Sequence, residues 1–436
     1  MLFDQVEFFA SSGTYLPSFF KMEIGSEESF LDIQNLSEKA ASTYFHEYMH
    51  FIQDVSTFHG LSNIIRMGEY IHHCREIIEN GSTVFSVPIH PAQLDPGVKV
   101  TTDITNKLLG SVHNIVGQVD IEHVELRKTS VITSEQANIP ELIITFNDGR
   151  HYTFGSLAVS ESMAYIAEKI LFPASVLAPT LPYHAAELLS RFLFPEFAVD
   201  KLNIFALCDI SLMTAEPGPK FYQNLLKLRD SAYTNGNPKK IYEYFSNDIF
   251  FYQNQKLARI QMLSALGQIA KCYLAGYFPS KMFKANIEWM DHIIDHGLGL
   301  RNRNIAFPLD IVLHGSFYDN PELKLTMRNI GGPLQLNAKS SGTFIVIEEL
   351  AGKYIQPDLN WAIANILKIL IGIQVPCGMK SFCRASAVAG GVPDYTNALC
   401  DINPWFRAYQ DLDCSMTRVL KMWQLNRKIP NTVQSE

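Results

Sequence analysis

Two histidines and a glutamate occur within the string YFHEYMH at residues 44–50. On an α-helix, residues four apart lie on the same face about one turn apart, so His46 and His50 can bind one metal ion through their imidazole nitrogens. Glu47 follows the first histidine, which is the place of a general base that takes a proton from a metal-bound water. The spacing therefore predicts a hydrolytic zinc site, and the alternative is a pair of histidines that bind no metal.

Zinc suits this chemistry because, at neutral pH, water is a poor nucleophile and an amide carbonyl is a poor electrophile. A zinc ion held by three protein ligands lowers the pKa of a bound water toward about 7 and polarises the carbonyl, using its open fourth coordination position. A third protein ligand is therefore expected elsewhere in the chain.

The residues around these histidines have a helical pattern. No proline or glycine occurs from Leu36 to Phe58, and apolar residues recur there at helical spacing. The pair His59-Gly60 is expected to end the helix. Apolar flanks on such a helix would bury it and place the ligands in a cleft.

With its His-Glu-x-x-His helix, the sequence resembles the gluzincins, metallopeptidases whose third zinc ligand is a glutamate on a later helix. The string ESMA at residues 161–164 matches the E-x-x-A pattern of that later helix. The resemblance, which covers about residues 36–60 and 155–172, implies that Glu161 is the third ligand and that Ala164 lets the two helices pack closely. The alternative third ligands are His184, Glu168, Glu187 and His59.

Three further residues are candidates for supporting roles in such a site. Gln53 lies one turn beyond the second histidine on the same face, so it can hydrogen-bond a ligand or the substrate backbone. Tyr165, on the predicted third-ligand helix, and the pair Tyr183-His184 can supply a donor to a tetrahedral oxyanion. The alternatives are a structural glutamine and core tyrosines with satisfied hydroxyls.

Four of the seven cysteines lie in the C-terminal segment: Cys377, Cys383, Cys400 and Cys414. Four thiolates can hold a structural zinc that stabilises a loop-rich tail. The segment lacks the C-x-x-C pairs of zinc ribbons, so buried free thiols are the alternative. The cofactor expected is one catalytic Zn²⁺, with a second, structural Zn²⁺ if these cysteines bind metal.

The composition is that of an ordinary globular protein, with 47% hydrophobic and 18% charged residues. A net charge of −8 without a Lys/Arg-rich block argues against nucleic acid and anionic membranes as partners. The N-terminus does not resemble a secretory signal, and an odd number of cysteines does not fit a disulfide framework. We therefore expect a cytoplasmic protein whose partners are a protein or peptide substrate and a regulatory protein.

The fold is predicted to be α+β and predominantly α-helical. Residues 1–200 are expected to form a zincin-like catalytic domain, residues 201–375 a mainly helical domain that shapes the cleft, and residues 376–436 a Cys-containing C-terminal segment. The individual elements predicted are strands at 3–9, 15–24, 142–146, 151–154 and 343–347, and helices at 36–58, 61–79, 157–171 and within 361–375.

Together these patterns predict an intracellular zinc metallopeptidase that cleaves a protein or peptide with Glu47 as general base. One alternative is a regulated toxin or defence protease that is silent until it is triggered. The other is a non-hydrolytic, zinc-stabilised interaction protein.

Overall fold

A computed structural model of the chain describes residues 13–432, except 90–92, 132–136, 176–177, 232, 234–235, 247, 253–254, 374–375 and 392. The fold is mixed α+β and predominantly helical, which confirms the predicted class. The strand predicted at residues 3–9 lies outside the described residues. In the part of the chain that is described, the helices are all too short or too polar to span a membrane.

The first half of the chain contains the elements that build the site. Its strands are β1 (Gly13–Leu16), β2 (Lys21–Ile24), β3 (Val84–Val87), β4 (Ile121–Val131), β5 (Ala137–Phe146) and β6 (His151–Thr153). Its helices are α1 (Glu38–Ser56), α2 (Phe58–Asn80), α3 (Pro96–Leu109), α4 (Ser156–Leu171), α5 (Ala185–Leu193) and α6 (Pro195–Ala198).

The second half is mostly helical and surrounds the first. Its helices are α7 (Lys201–Leu212), α8 (Pro217–Asp230), α9 (Lys239–Tyr244), α10 (Arg259–Tyr277), α11 (Lys284–Arg303), α12 (Phe307–Leu313), α13 (Pro321–Ile330), α14 (Asp358–Leu370), α15 (Lys380–Gly390), α16 (Leu399–Ile402), α17 (Pro404–Tyr409) and α18 (Ser415–Met422). Its strands are β7 (Ile249–Tyr252), β8 (Gln255–Ala258), β9 (Leu334–Leu336), β10 (Gly342–Thr343) and β11 (Ile429–Thr432). Short 3-10 helices lie at Ile33–Asn35, Lys281–Phe283 and Glu348–Leu350.

Helix α1 begins and ends close to where the sequence predicts. The Ser37 hydroxyl caps its first turn by accepting a hydrogen bond from the Ala40 amide. Helix α2 begins three residues earlier than predicted, because the Thr57 hydroxyl accepts from the Gly60 amide and starts a new helix at once. A Cβ at Gly60 would lie 2.2 Å from the Asp54 carbonyl oxygen, so the sharp turn between the two helices requires glycine.

Four strands form a sheet in the order β1-β2-β9-β10, in which β2 and β9 run parallel and the outer pairs run antiparallel. Strand β3 pairs in parallel with β11, and β4-β5-β6 form an antiparallel sheet. Strands from the beginning of the chain thus pair with strands near its end. The sheets therefore join segments of all three predicted domains.

Two strand predictions differ from the structure. The run 15–24 is two strands, because Ser18 and Phe20 have positive φ angles of 64° and 52° and reverse the chain between them. The strand predicted at 343–347 is wrong beyond Thr343. The apolar side chains of Phe344 and Ile345 pack on the core from an irregular segment, so their burial, not strand pairing, explains the apolar pattern.

One hydrophobic cluster runs through the described residues from Leu16 to Leu425. Helix α1 lies within it and packs against α2, α4 and α11. Below the C-terminal end of α1, the Arg301 guanidinium donates to the Ser56 carbonyl and forms an ion pair with Asp209. The helix that carries the predicted ligands is therefore held on several sides.

Candidate metal centre

Three of the predicted ligands meet between α1 and α4. The Nε2 atoms of His46 and His50 are 3.2 Å apart, and the Glu161 Oε2 atom lies 3.3 Å from the first and 3.4 Å from the second. All three side chains are between 10% and 13% exposed. The helical spacing of the histidines and the packing of α4 on α1 thus bring three potential ligand atoms to one point.

The other ring nitrogen of each histidine has its own acceptor. His46 Nδ1 lies 3.1 Å from the Glu168 Oε2 atom. His50 Nδ1 lies 2.9 Å from Gln53 Oε1, and the Gln53 amide nitrogen donates to the Ser160 carbonyl at 3.1 Å. In the tautomers in which Nδ1–H donates to these oxygens, each Nε2 has a lone pair that faces the cluster.

Two imidazole lone pairs and a carboxylate oxygen in mutual contact repel one another unless a cation lies among them. Burial alone lowers the pKa of His46, but its hydrogen bonds to Glu161 and Glu168 outweigh burial and raise the pKa well above the usual value. The cluster therefore attracts positive charge. Ligand atoms placed tetrahedrally at about 2.0–2.1 Å from zinc lie about 3.3–3.4 Å from one another, which agrees with the observed spacing.

Among the described residues, His46, His50 and Glu161 form the group of side chains whose ligand atoms are close enough to hold a metal ion. No protein family, curated protein or solved structure in the comparisons matches the chain. The resemblance to gluzincins therefore stays a prediction from the motif residues. The capacity of the group to hold a metal ion follows from its geometry alone.

Glu47 lies beside this group but outside it. Its side chain is buried and lines the cavity in front of the ligands, and its carboxylate makes no hydrogen bond to any described residue. Burial raises the pKa of Glu47 to about 7, although the two neighbouring histidines act in the opposite direction. A carboxylate so placed is free to exchange a proton with a water or a substrate in the cavity.

The cavity in front of the ligands encloses about 110 Å³. Strand β1, helix α1, the start of α2 and the start of α4 supply most of its walls, and every lining residue falls within residues 13–183. The helices of residues 201–375 support these walls from behind, through contacts such as α11 with α1 and α7 with α4.

Of the aromatic residues predicted to support the site, one lines the cavity and two do not. Tyr183 lines the cavity, and its ring centroid lies 5.9 Å from that of His46. Tyr165 and His184 pack on each other with ring centroids 4.8 Å apart, and neither is among the lining residues. Of these three side chains, Tyr183 is therefore the one that faces the cavity, whereas Tyr165 packs against it.

The alternative third ligands take other positions. Glu168 contacts the Nδ1 atom of His46, on the side of the ring that faces away from the ligand group. Glu187 binds His184 at 3.4 Å and Arg191 at 2.6 Å. His59 lines the cavity, but its Nε2 lies 3.1 Å from the Asn63 amide nitrogen and is not part of the ligand group.

Sequence spacing did not reveal the role of Glu168. We expect Glu168→Ala to weaken metal affinity by about 10- to 100-fold, because His46 loses the carboxylate that fixes its tautomer and ring orientation. Competition with a chelating dye measures this change. Glu243→Ala, which removes an exposed glutamate from α9, is the control. Equal affinities for both variants would contradict the orienting role.

The four C-terminal cysteines line one cavity, but they do not form a metal site as placed. No three of their sulfur atoms lie within 4.8 Å of one another in the described part of the chain. Cys414 instead caps α18 by accepting from the Thr417 amide at 3.4 Å. Burial raises the pKa of Cys377 to about 11 and that of Cys383 to about 12.

Proposed function

We propose that this protein is a zinc-dependent hydrolase of peptide bonds, with His46, His50 and Glu161 as the zinc ligands and Glu47 as the general base. The observation that carries this proposal is the arrangement of the four residues. Three acceptor atoms are spaced 3.2–3.4 Å apart, and a buried carboxylate without a hydrogen-bond partner among the described residues lies beside them.

Zinc, when bound, supplies Lewis acidity that makes water more acidic and a carbonyl more electrophilic. The chain's own residues move the proton. The Glu47 carboxylate accepts it from the attacking water and returns it to the leaving nitrogen of the substrate. Tyr183 lines the cavity with its ring 5.9 Å from that of His46, and we assign it as the donor to the oxygen of the carbonyl under attack.

An extended peptide suits the shape of the cavity wall. Strand β1 is an edge of its sheet among the described residues, and Gly13, Thr14 and Tyr15 line the cavity. An edge strand can bind an extended peptide by adding it to the sheet through main-chain hydrogen bonds. A Cβ at Gly13 would lie 3.0 Å from the Glu47 Oε1 atom, so a larger residue at this position would crowd the base.

The test is the metal content of the purified chain, measured by mass spectrometry. We expect one zinc per wild-type chain, and we expect this zinc to be lost in His46→Ala and strongly reduced in Glu161→Ala. Glu187→Ala is the matched control, because it removes a carboxylate from the neighbouring helix α5 that lies outside the ligand group. It should keep its zinc.

Three results would overturn the proposal. The first is full zinc content in His46→Ala, and the second is a folded wild-type chain that binds no metal after zinc is supplied. The third is one equivalent of iron in place of zinc, since two histidines and one carboxylate are also the ligand set of non-haem iron oxygenases.

A further inference from the structure

A second, smaller cavity of about 40 Å³ adjoins the first. The two share part of their lining, namely Pro17, His59, Asn63, Leu109 and Ser156. The remaining wall of the second cavity is mostly apolar and includes Leu16, Phe19, Met67 and Leu108. One cleft therefore leads from the metal ligands along the first two turns of α2 into an apolar recess.

A single cation, Arg66, lines this recess among the described residues. Its guanidinium makes one long hydrogen bond among the described residues, 3.4 Å to Asn63 Oδ1, and forms no ion pair with a described carboxylate. Glu69 acts on it only from a greater distance, and the Glu69 carboxylate accepts from the Tyr273 hydroxyl at 3.0 Å. Burial lowers the pKa of Arg66, so its charge is held at a cost in free energy.

The recess also holds an acceptor without a partner. The Asn106 Oδ1 atom is buried and makes no hydrogen bond among the described residues. A guanidinium has five N–H donors, and most of those on Arg66 have no acceptor among the described residues. A buried acceptor without a partner, Asn106 Oδ1, and a half-buried guanidinium that lines the same small recess are typical of a place that a polar ligand completes.

We propose that this recess is a specificity site for a short acidic side chain of the substrate, whose carboxylate pairs with Arg66 and whose backbone N–H reaches Asn106. This inference rests on the proposed peptidase function. A recess of about 40 Å³ has room for about three water-sized groups, which fits the carboxylate and methylene of aspartate. It excludes aromatic and long side chains.

The distance along α2 between the metal cavity and the recess indicates how far the substrate aspartate lies from the scissile bond. Seven residues of helix separate His59, at the metal cavity, from Arg66, which corresponds to about 10 Å. An extended peptide covers that distance in about three residues. We therefore expect the preferred aspartate to lie within about three residues of the cleaved bond.

The experiment uses the full chain loaded with zinc and degenerate peptide libraries that carry aspartate or its neutral isostere asparagine at one position at a time. Cleavage is followed by mass spectrometry for wild type, Arg66→Gln, Arg66→Lys and Arg229→Gln. We expect wild type to prefer aspartate at one position by about 10- to 100-fold, as a hydrogen-bonded buried charge pair implies. The preference should vanish in Arg66→Gln, persist in part in Arg66→Lys and persist fully in Arg229→Gln, which changes an exposed arginine.

The aspartate-to-asparagine ratio is internal to each sample, so partial unfolding of a variant lowers both rates and leaves the ratio unchanged. A ratio near one in wild type, or an unchanged ratio in Arg66→Gln, overturns the proposal. If wild type cleaves no library, the peptidase function fails separately. The acid site is then tested on the same chain by NMR titration with N-acetyl-aspartate amide and N-acetyl-asparagine amide. Selective binding of the aspartate probe that is lost in Arg66→Gln supports the site, and equal or absent binding overturns it.

Discussion

Glu47→Gln is expected to lower peptide hydrolysis by at least about a hundredfold while the chain keeps its zinc. Glutamine has the same shape as glutamate, so the buried side chain still fits its place beside the ligands. It cannot accept the proton of the attacking water, and the general-base step is lost. The measurement compares the new peptide ends that zinc-loaded wild type and Glu47→Gln produce from a degenerate library, with zinc content determined on the same samples.

Glu243→Gln is the matched control, because it makes the same chemical change at an exposed position on α9. It should cleave as fast as wild type. Hydrolysis by Glu47→Gln at the wild-type rate would refute the role of Glu47 as base.

A biological effect of the chain that survives in Glu47→Gln would favour the non-hydrolytic interaction protein. Growth inhibition on overexpression that Glu47→Gln abolishes would favour the regulated toxin or defence protease.

Asp209→Asn is expected to destabilise the fold by about 3–5 kcal/mol, because it leaves the Arg301 charge buried and uncompensated. Both side chains are 0% exposed, and two N–H···O contacts of 2.7 Å join them. The Tyr242 hydroxyl also donates to Asp209 at 2.8 Å. Since Arg301 donates in addition to the Ser56 carbonyl, the pair ties α7 and α11 to the C-terminal end of α1. Urea unfolding of the metal-free chain, followed by circular dichroism, measures the change.

An exposed ion pair provides the comparison. Lys271 and Asp295 approach within 2.7 Å, but the Asp295 side chain is 49% exposed. Asp295→Asn should change the free energy of unfolding by less than about 1 kcal/mol, because water solvates both partners. Equal changes in the free energy of unfolding for Asp209→Asn and Asp295→Asn would contradict the importance that we assign to the buried pair.

The sequence predicted the helix of the metal centre correctly because that information is local. The apolar spacing from Leu36 to Phe58 and the absence of proline and glycine specify a helix, and four-residue spacing places His46 and His50 on one face. The E-x-x-A string on a second helix predicted Glu161 as the third member of the group. The small Ala164 beside it is buried, in agreement with close packing between α4 and its neighbours.

Other features depend on residues far apart in the chain, and local patterns carry little information about them. Strand β2 pairs with β9 more than 300 positions later in the chain, which no turn signal could indicate. The four cysteines come to one cavity, but spacing alone could not show that their sulfur atoms stay too far apart for a shared metal ion. The hairpin of β7 and β8 lies within a region whose pattern is otherwise helical.

By itself, therefore, the sequence determined the helical frame and the residues that can bind a metal ion, since helix geometry relates spacing directly to position on a face. The tertiary structure decided which nitrogen of each histidine faces the group, that Glu168 orients His46, and that Tyr183 reaches the cavity. It also decided that Arg66 lies in an adjoining recess without a carboxylate partner in the described chain. These relations arise from packing between separate elements. The distance between two residues along the sequence does not indicate whether packing brings them into contact.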